Sequence, residues 1–96
     1  MNYLMHVDDA IESSIQGEVI GLVLDEISET GDKWERIYWV AWKREEQCGT
    51  HRVAINSDGE SMVTWGCYFV AGTPAQRYVK ALDDLAERAG LSGVKA

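Results

Sequence analysis

The sequence predicts an α+β domain: a four-stranded antiparallel sheet built from β-hairpins, with a short N-terminal helix and a C-terminal amphipathic helix packed on one face. Three observations carry this. Runs rich in branched and aromatic residues follow one another between residues 18 and 70. Turn signals divide them, Glu29-Thr30-Gly31-Asp32 and Ser57-Asp58-Gly59-Glu60. A stretch at helical spacing with a strong N-terminal signature then closes the chain.

Residues 9–16 read as a short helix. Asp9 and Glu12 have capping-box spacing, Ile11 and Ile15 share a face, and Gly17 is the expected stop. Glu18 to Ser28 reads as a strand, and Gly21 within it signals a bulge or a close approach of backbone. Continuing the first helix through Leu22 would bury two glycines in it, at about 1 kcal/mol each.

Trp34 to Arg44 is the second strand. Ile37, Trp39 and Ala41 alternate with Trp34, Tyr38, Val40 and Trp42, so both faces are apolar. That fits a central strand, or one whose second face binds a partner. Glu45 to Gly49 reads as a polar loop that exposes Cys48. Thr50 to Asn56 and Ser61 to Val70 form a hairpin around Gly59, with Val63, Trp65, Cys67 and Phe69 as the core face of the last strand. In the C-terminal helix, Thr73 is the N-cap, Pro74 the first helical residue and Gln76 the capping-box partner. Ala75, Tyr78/Val79, Leu82, Leu85/Ala86 and Ala89 form its apolar face, Asp84 and Arg88 pair at i, i+4, and Gly90 is the expected stop.

Ninety-six residues that are 46% hydrophobic suffice for one domain with its own core. The N-terminus lacks the pattern of a secretory signal, and no run approaches the length of a membrane span. The chain therefore reads as a soluble, cytoplasmic protein with its two cysteines, Cys48 and Cys67, reduced.

No catalytic or metal pattern emerges. Cys48 and His51 have ligand-like spacing, and Cys67 and His6 would complete four zinc ligands, but the paired knuckles of a structural site are missing. The pairs Asp8-Asp9, Asp25-Glu26, Glu45-Glu46 and Asp83-Asp84 show no convergence on a cleft, since adjacent residues on a strand point to opposite faces. The sequence thus predicts no enzyme, no metal and no cofactor, with a small metal protein or enzyme built around Cys48, His51 and Cys67 as an alternative reading.

Charge carries the partner prediction. Asp8, Asp9, Glu12, Glu18, Asp25, Glu26, Glu29, Asp32 and Glu35 fall in the first 35 residues against one base, Lys33, whereas residues 36–96 hold eight bases and seven acids. Such a segment disfavours nucleic acid and membranes and favours a basic protein or protein complex. Those nine carboxylates, with Trp34, Tyr38 and Trp42 as aromatic anchors, form the predicted partner-binding set. A second reading stacks single-stranded nucleic acid on the sheet, using Lys33, Arg36, Lys43, Arg44, His51 and Arg52 beside the same aromatics. A net charge of −7 opposes it. A homodimer could form through the edge strand Glu18–Ser28 or through an apolar face of the second strand.

In profile, the chain resembles the small inhibitors of host defence encoded by phages and mobile elements, including anti-CRISPR proteins and DNA mimics. It shares with them small size, acidity and abundant aromatics. The resemblance implies inhibition of a complex that handles nucleic acid. It covers size and composition only, so it assigns no residue a role.

Overall fold

The computed structural model describes the backbone of residues 4–93 and the side chains of residues 9–90. The elements are α1 (Leu4–Ile15), β1 (Glu18–Thr30), β2 (Lys33–Arg44), β3 (Gln47–Asn56), β4 (Ser61–Phe69) and α2 (Pro74–Gly93). The strands form one antiparallel meander in the order β1-β2-β3-β4, as the hairpin signals predict.

A helix lies on each face. Alternate residues of β2 and β3, namely Tyr38, Val40, Trp42, Val53 and Ile55, cluster with Ile11 and Ile15 of α1. The intervening positions, including Ala41 and Cys48, cluster with Ala81 and Leu85 of α2. Small residues bring α2 close: a Cβ on Gly21 would sit 2.5 Å from Leu85 Cδ2. The close approach signalled by Gly21 is thus made by the helix.

Turn chemistry holds where it was read. Gly31 (φ 61°) opens the two-residue loop between β1 and β2, and Gly59 (φ 83°) sits in the β3–β4 turn. The α2 capping box is complete: Gln76 N–H donates to Thr73 Oγ1 at 3.2 Å, and Thr73 N–H donates to Gln76 Oε1 at 2.8 Å. Arg88 Nε donates to Asp84 Oδ2 at 2.9 Å.

Several local expectations fail for identifiable reasons. Helix α1 begins at Leu4, so Asp9 lies in its interior and caps nothing. The carboxylate of Glu12 instead accepts the Val19 N–H at 2.8 Å, tying α1 to β1. The left-handed residue that ends α1 is Gln16 (φ 56°), with Gly17 N–H donating back to the Glu12 carbonyl at 3.2 Å in Schellman fashion. Gly90 does not stop α2, which continues to Gly93. Tyr78 and Val79 are exposed because α2 enters over the Glu45-Glu46 turn, leaving a groove of about 260 Å³ beneath Tyr78. Strand β3 starts three residues early, since Glu45 takes a positive φ of 56° and makes a tight turn. Cys48 is therefore a buried strand residue, not a loop thiol. A bulge at Thr64 turns Val63 toward α1, so it does not share a face with Trp65.

Candidate functional site

The β1–β2 tip and the β3–β4 turn lie at the same end of the sheet and are tied together there. Asn56 Oδ1 accepts the N–H groups of Asp58 and Glu60, each at 3.0 Å, which shapes the β3–β4 turn. Trp34 N–H donates to Ser57 Oγ at 3.2 Å, and Ser57 N–H donates to the Trp34 carbonyl at 2.9 Å. Lys33 Nζ reaches Asp58 Oδ1 at 3.1 Å. The Arg36 guanidinium lies 4.5 Å from the centre of the Trp34 ring.

Five carboxylates gather at this end, Glu29, Asp32 and Glu35 from the acidic first third and Asp58 and Glu60 from the β3–β4 turn, and Lys33 and Arg36 accompany them. Asp25 and Glu26 lie farther along β1, where Glu26 stands opposite Ile37, and pair with Arg52. Sequence reasoning missed Asp58 and Glu60 because it followed charge along the chain. The signal was available in the hairpin pattern, which folds residues 57–60 back beside residues 31–34. Between the two hairpins lies a groove of about 260 Å³ lined by Glu35, Ala54, Asn56, Glu60, Ser61 and Met62. Glu60 Oε1 is steadied by Asn56 Nδ2 at 2.8 Å.

The remaining predicted carboxylates do not join this group. Glu18 pairs with Lys43 in the ladder at the opposite end of the sheet. Asp9 and Glu12 belong to α1. The side chain of Asp8 lies outside the described residues, as does that of His6.

Asp25 and Glu26 differ from the other acids. The register shift between Leu24 and Glu26 places both on the α2 face, contrary to the alternation expected of neighbours on a strand. Both then accept hydrogen bonds from Arg52 Nη2, which reaches Asp25 Oδ2 at 2.9 Å. The Asp25 bond comes first among the causes that raise the Arg52 pKa above its ordinary value, with Glu26 adding to it against the cost of burial. Arg52 also lies 5.4 Å from the Trp39 ring, which meets Trp65 edge-on at 5.8 Å, and Arg88 covers Trp65 at 4.1 Å. This layer joins all four strands and α2 and is filled by its own side chains.

The proposed aromatic anchors require correction. Tyr38 and Trp42 are 6% and 2% exposed, because β2 is an interior strand with a helix over each face. Trp34 is partly buried against the α1-side cluster. The same burial removes the base-stacking platform. Its bases are also divided, with Arg36, Arg44 and His51 at α1-face positions and Lys33, Lys43 and Arg52 at α2-face positions.

Cys48 and His51 occupy opposite faces of β3 and do not converge. His51 stacks on Trp42 at 5.1 Å between ring centres, with Nδ1 3.3 Å from the Trp65 carbonyl. Desolvation pulls its pKa below the ordinary value. The Trp65 carbonyl opposes this, and Arg44 adds to the lowering. Gly66 makes room for the ring, since a Cβ there would collide with His51 Nδ1. Among the described residues no three His, Cys, Asp or Glu side chains are grouped to hold a metal, and no helix is long and apolar enough to cross a membrane.

Compared with protein-family models, curated proteins and solved structures, the chain matches none.

Proposed function

We propose that the protein is a non-enzymatic binding module that docks its acidic hairpin end against a basic protein surface. The groove between Glu35 and Glu60 is the observation that carries this reading. It sets two carboxylates beside Ala54 and Met62, and Met62 is 65% exposed. That combination suits a lysine or arginine side chain, whose aliphatic stem lies on the apolar floor while its charge meets the carboxylates. Glu29 and Asp32, both exposed at the neighbouring tip, extend the field and favour rapid encounter. In its most specific form, which rests on the likeness in profile, the partner is a channel that otherwise holds nucleic acid in a host defence complex.

The test is an affinity capture from lysate with the tagged wild-type protein and with Glu29→Lys/Asp32→Lys/Glu35→Lys, at about 50 mM and about 500 mM salt. These residues are exposed and lie outside both core clusters. The expected result is a basic partner held at low salt, released at high salt and lost in the variant. Equal capture by the variant would overturn the reading.

A further inference from the structure

The two edges of the sheet are defended unequally. Strand β1 has two register shifts and carries Glu18, Asp25, Glu26 and Glu29. Bulges and charges of this kind keep an edge from pairing with another chain. Strand β4 has neither charge nor proline, and it begins a run from Ser61 to Gln76 without one formally charged residue, the longest in the sequence. Met62, Tyr68 and Val70 are 65%, 60% and 73% exposed in or just beyond it, and Trp65 is 37% exposed. Its single bulge, at Thr64, is tied back to β3, where the hydroxyl donates to the Arg52 carbonyl at 3.1 Å.

We propose that β4 is the pairing edge of a homodimer, in which two copies join antiparallel about a two-fold axis into one continuous sheet. Charge selects both the occupant and the direction. The acidic turn bearing Asp58 and Glu60 precedes β4. Basic groups stand where it ends: Arg77 Nη1 donates to the Val70 carbonyl at 3.4 Å and to the Gly72 carbonyl at 2.8 Å, and Lys80 Nζ lies 6.0 Å from the centre of the Phe69 ring. Antiparallel pairing sets the acidic start of each strand beside the basic finish of its copy, and it sends the two acidic hairpin ends in opposite directions. Parallel pairing would bring those ends together. Pairing through β1 would set carboxylates against carboxylates. A foreign strand would find no charge within β4 to select it, whereas a second copy is complementary at both ends.

Sedimentation equilibrium of the full chain at about 100 μM should give twice the 10.7 kDa chain mass and show dissociation on dilution. Hydrogen exchange should show amides of Ser61–Phe69 gaining protection as concentration rises, while those of Glu18–Thr30 do not change. Tyr68→Lys/Val70→Lys, two exposed positions away from the Glu35–Glu60 groove, should raise the dimer dissociation constant by about a hundredfold with an unchanged circular dichroism spectrum. A monomer at every concentration, open-ended aggregates without a discrete dimer, or protection gained along β1 would each overturn the proposal. So would a folded lysine variant that still dimerises, and the wild-type exchange pattern decides the matter should that variant fail to fold. Charge reversal at Glu29, Asp32 and Glu35 should leave the dimer intact, so this proposal and the acidic docking surface stand or fall separately.

Discussion

The α1 face of the sheet is closed at its centre by large apolar side chains and leaves Leu24, Ile27 and Tyr68 exposed around it, whereas the α2 face is built in two parts. Under α1, Ile11, Val40 and Val53 are wholly buried among Tyr38, Trp42 and Ile55. Under α2, small residues (Gly21, Ala41, Ala81) hold the helix close for part of its length, and the Arg52–Trp39–Trp65–Arg88 layer takes over from them. Beyond that layer the sheet opens into the groove between Glu35 and Glu60. One face therefore serves cohesion, while the other grades from apolar contact through paired charge to a solvent-facing acidic surface. On the proposed reading, stability and recognition fall to different parts of the same four strands.

Substitutions that should break this contrast most strongly lie on the α1 side. Ile11→Ala removes a wholly buried side chain from the α1-side cluster. The expected loss is about 3–4 kcal/mol in urea unfolding. Gly21→Val tests the close approach of α2: its Cβ would begin 2.5 Å from Leu85, and about 2–3 kcal/mol of destabilisation is expected from overpacking. Near-wild-type stability in Gly21→Val would mean that α2 does not need its tight seat.

The middle layer is tested by Arg52→Ala, which leaves Asp25, whose side chain is 10% exposed, without its cation. The expected cost is about 2 kcal/mol. Asp25→Asn/Glu26→Gln in the same background should recover part of the loss, because the unpaired charges are removed along with their partner. A triple variant no more stable than Arg52→Ala would show that Arg52 acts through its contact with Trp39 and not through the carboxylates.

Legibility in the sequence followed the same division. The hairpin turns at Gly31 and Gly59, the Thr73–Gln76 capping box and the apolar character of both faces of β2 were readable because each depends on residues close together in the chain. The bulges at Asp25 and Thr64 were not. A bulge answers to the partner strand, and a one-residue shift reassigns every side chain beyond it. Alternation consequently misplaced Val63 and sent Asp25 and Glu26 to opposite faces, hiding their shared pairing with Arg52. The acidic site was half legible: Glu29, Asp32 and Glu35 were found from local charge, but Asp58 and Glu60 join them only through the fold. Exposure of Trp42 and Tyr38 was misjudged because the sequence did not show that α1 and α2 would take opposite faces.

Thr50 offers a gain in place of a loss. It is wholly buried at an α2-face position, and among the described residues its hydroxyl has no hydrogen-bond partner. Thr50→Val keeps the shape and removes the unmet polar group. A stabilisation of about 1 kcal/mol is expected, read as a higher midpoint in thermal or urea unfolding. A lower midpoint would mean that the hydroxyl contributes an interaction that shape alone does not replace.

The smallest expected effect comes from His51, on the α1 side, and it concerns pH. Its folded pKa lies below the ordinary 6.5 because the ring is desolvated against Trp42. Above pH 6.5 the ring is neutral in both folded and unfolded chains, so its contribution to stability is complete. As pH falls below 6.5, the unfolded ring takes up a proton before the folded one does, and stability drops until the folded pKa is passed. Carboxylates titrate lower, so the useful window is the first unit or so below 6.5. His51→Phe keeps an aromatic ring over Trp42 without a titrating group. Between pH 7 and pH 5.5, wild type should lose stability relative to this variant. Parallel curves would mean that the ring takes its proton as readily in the folded chain as in the unfolded one, and the α1 face would then be wetter at His51 than its stacking on Trp42 implies.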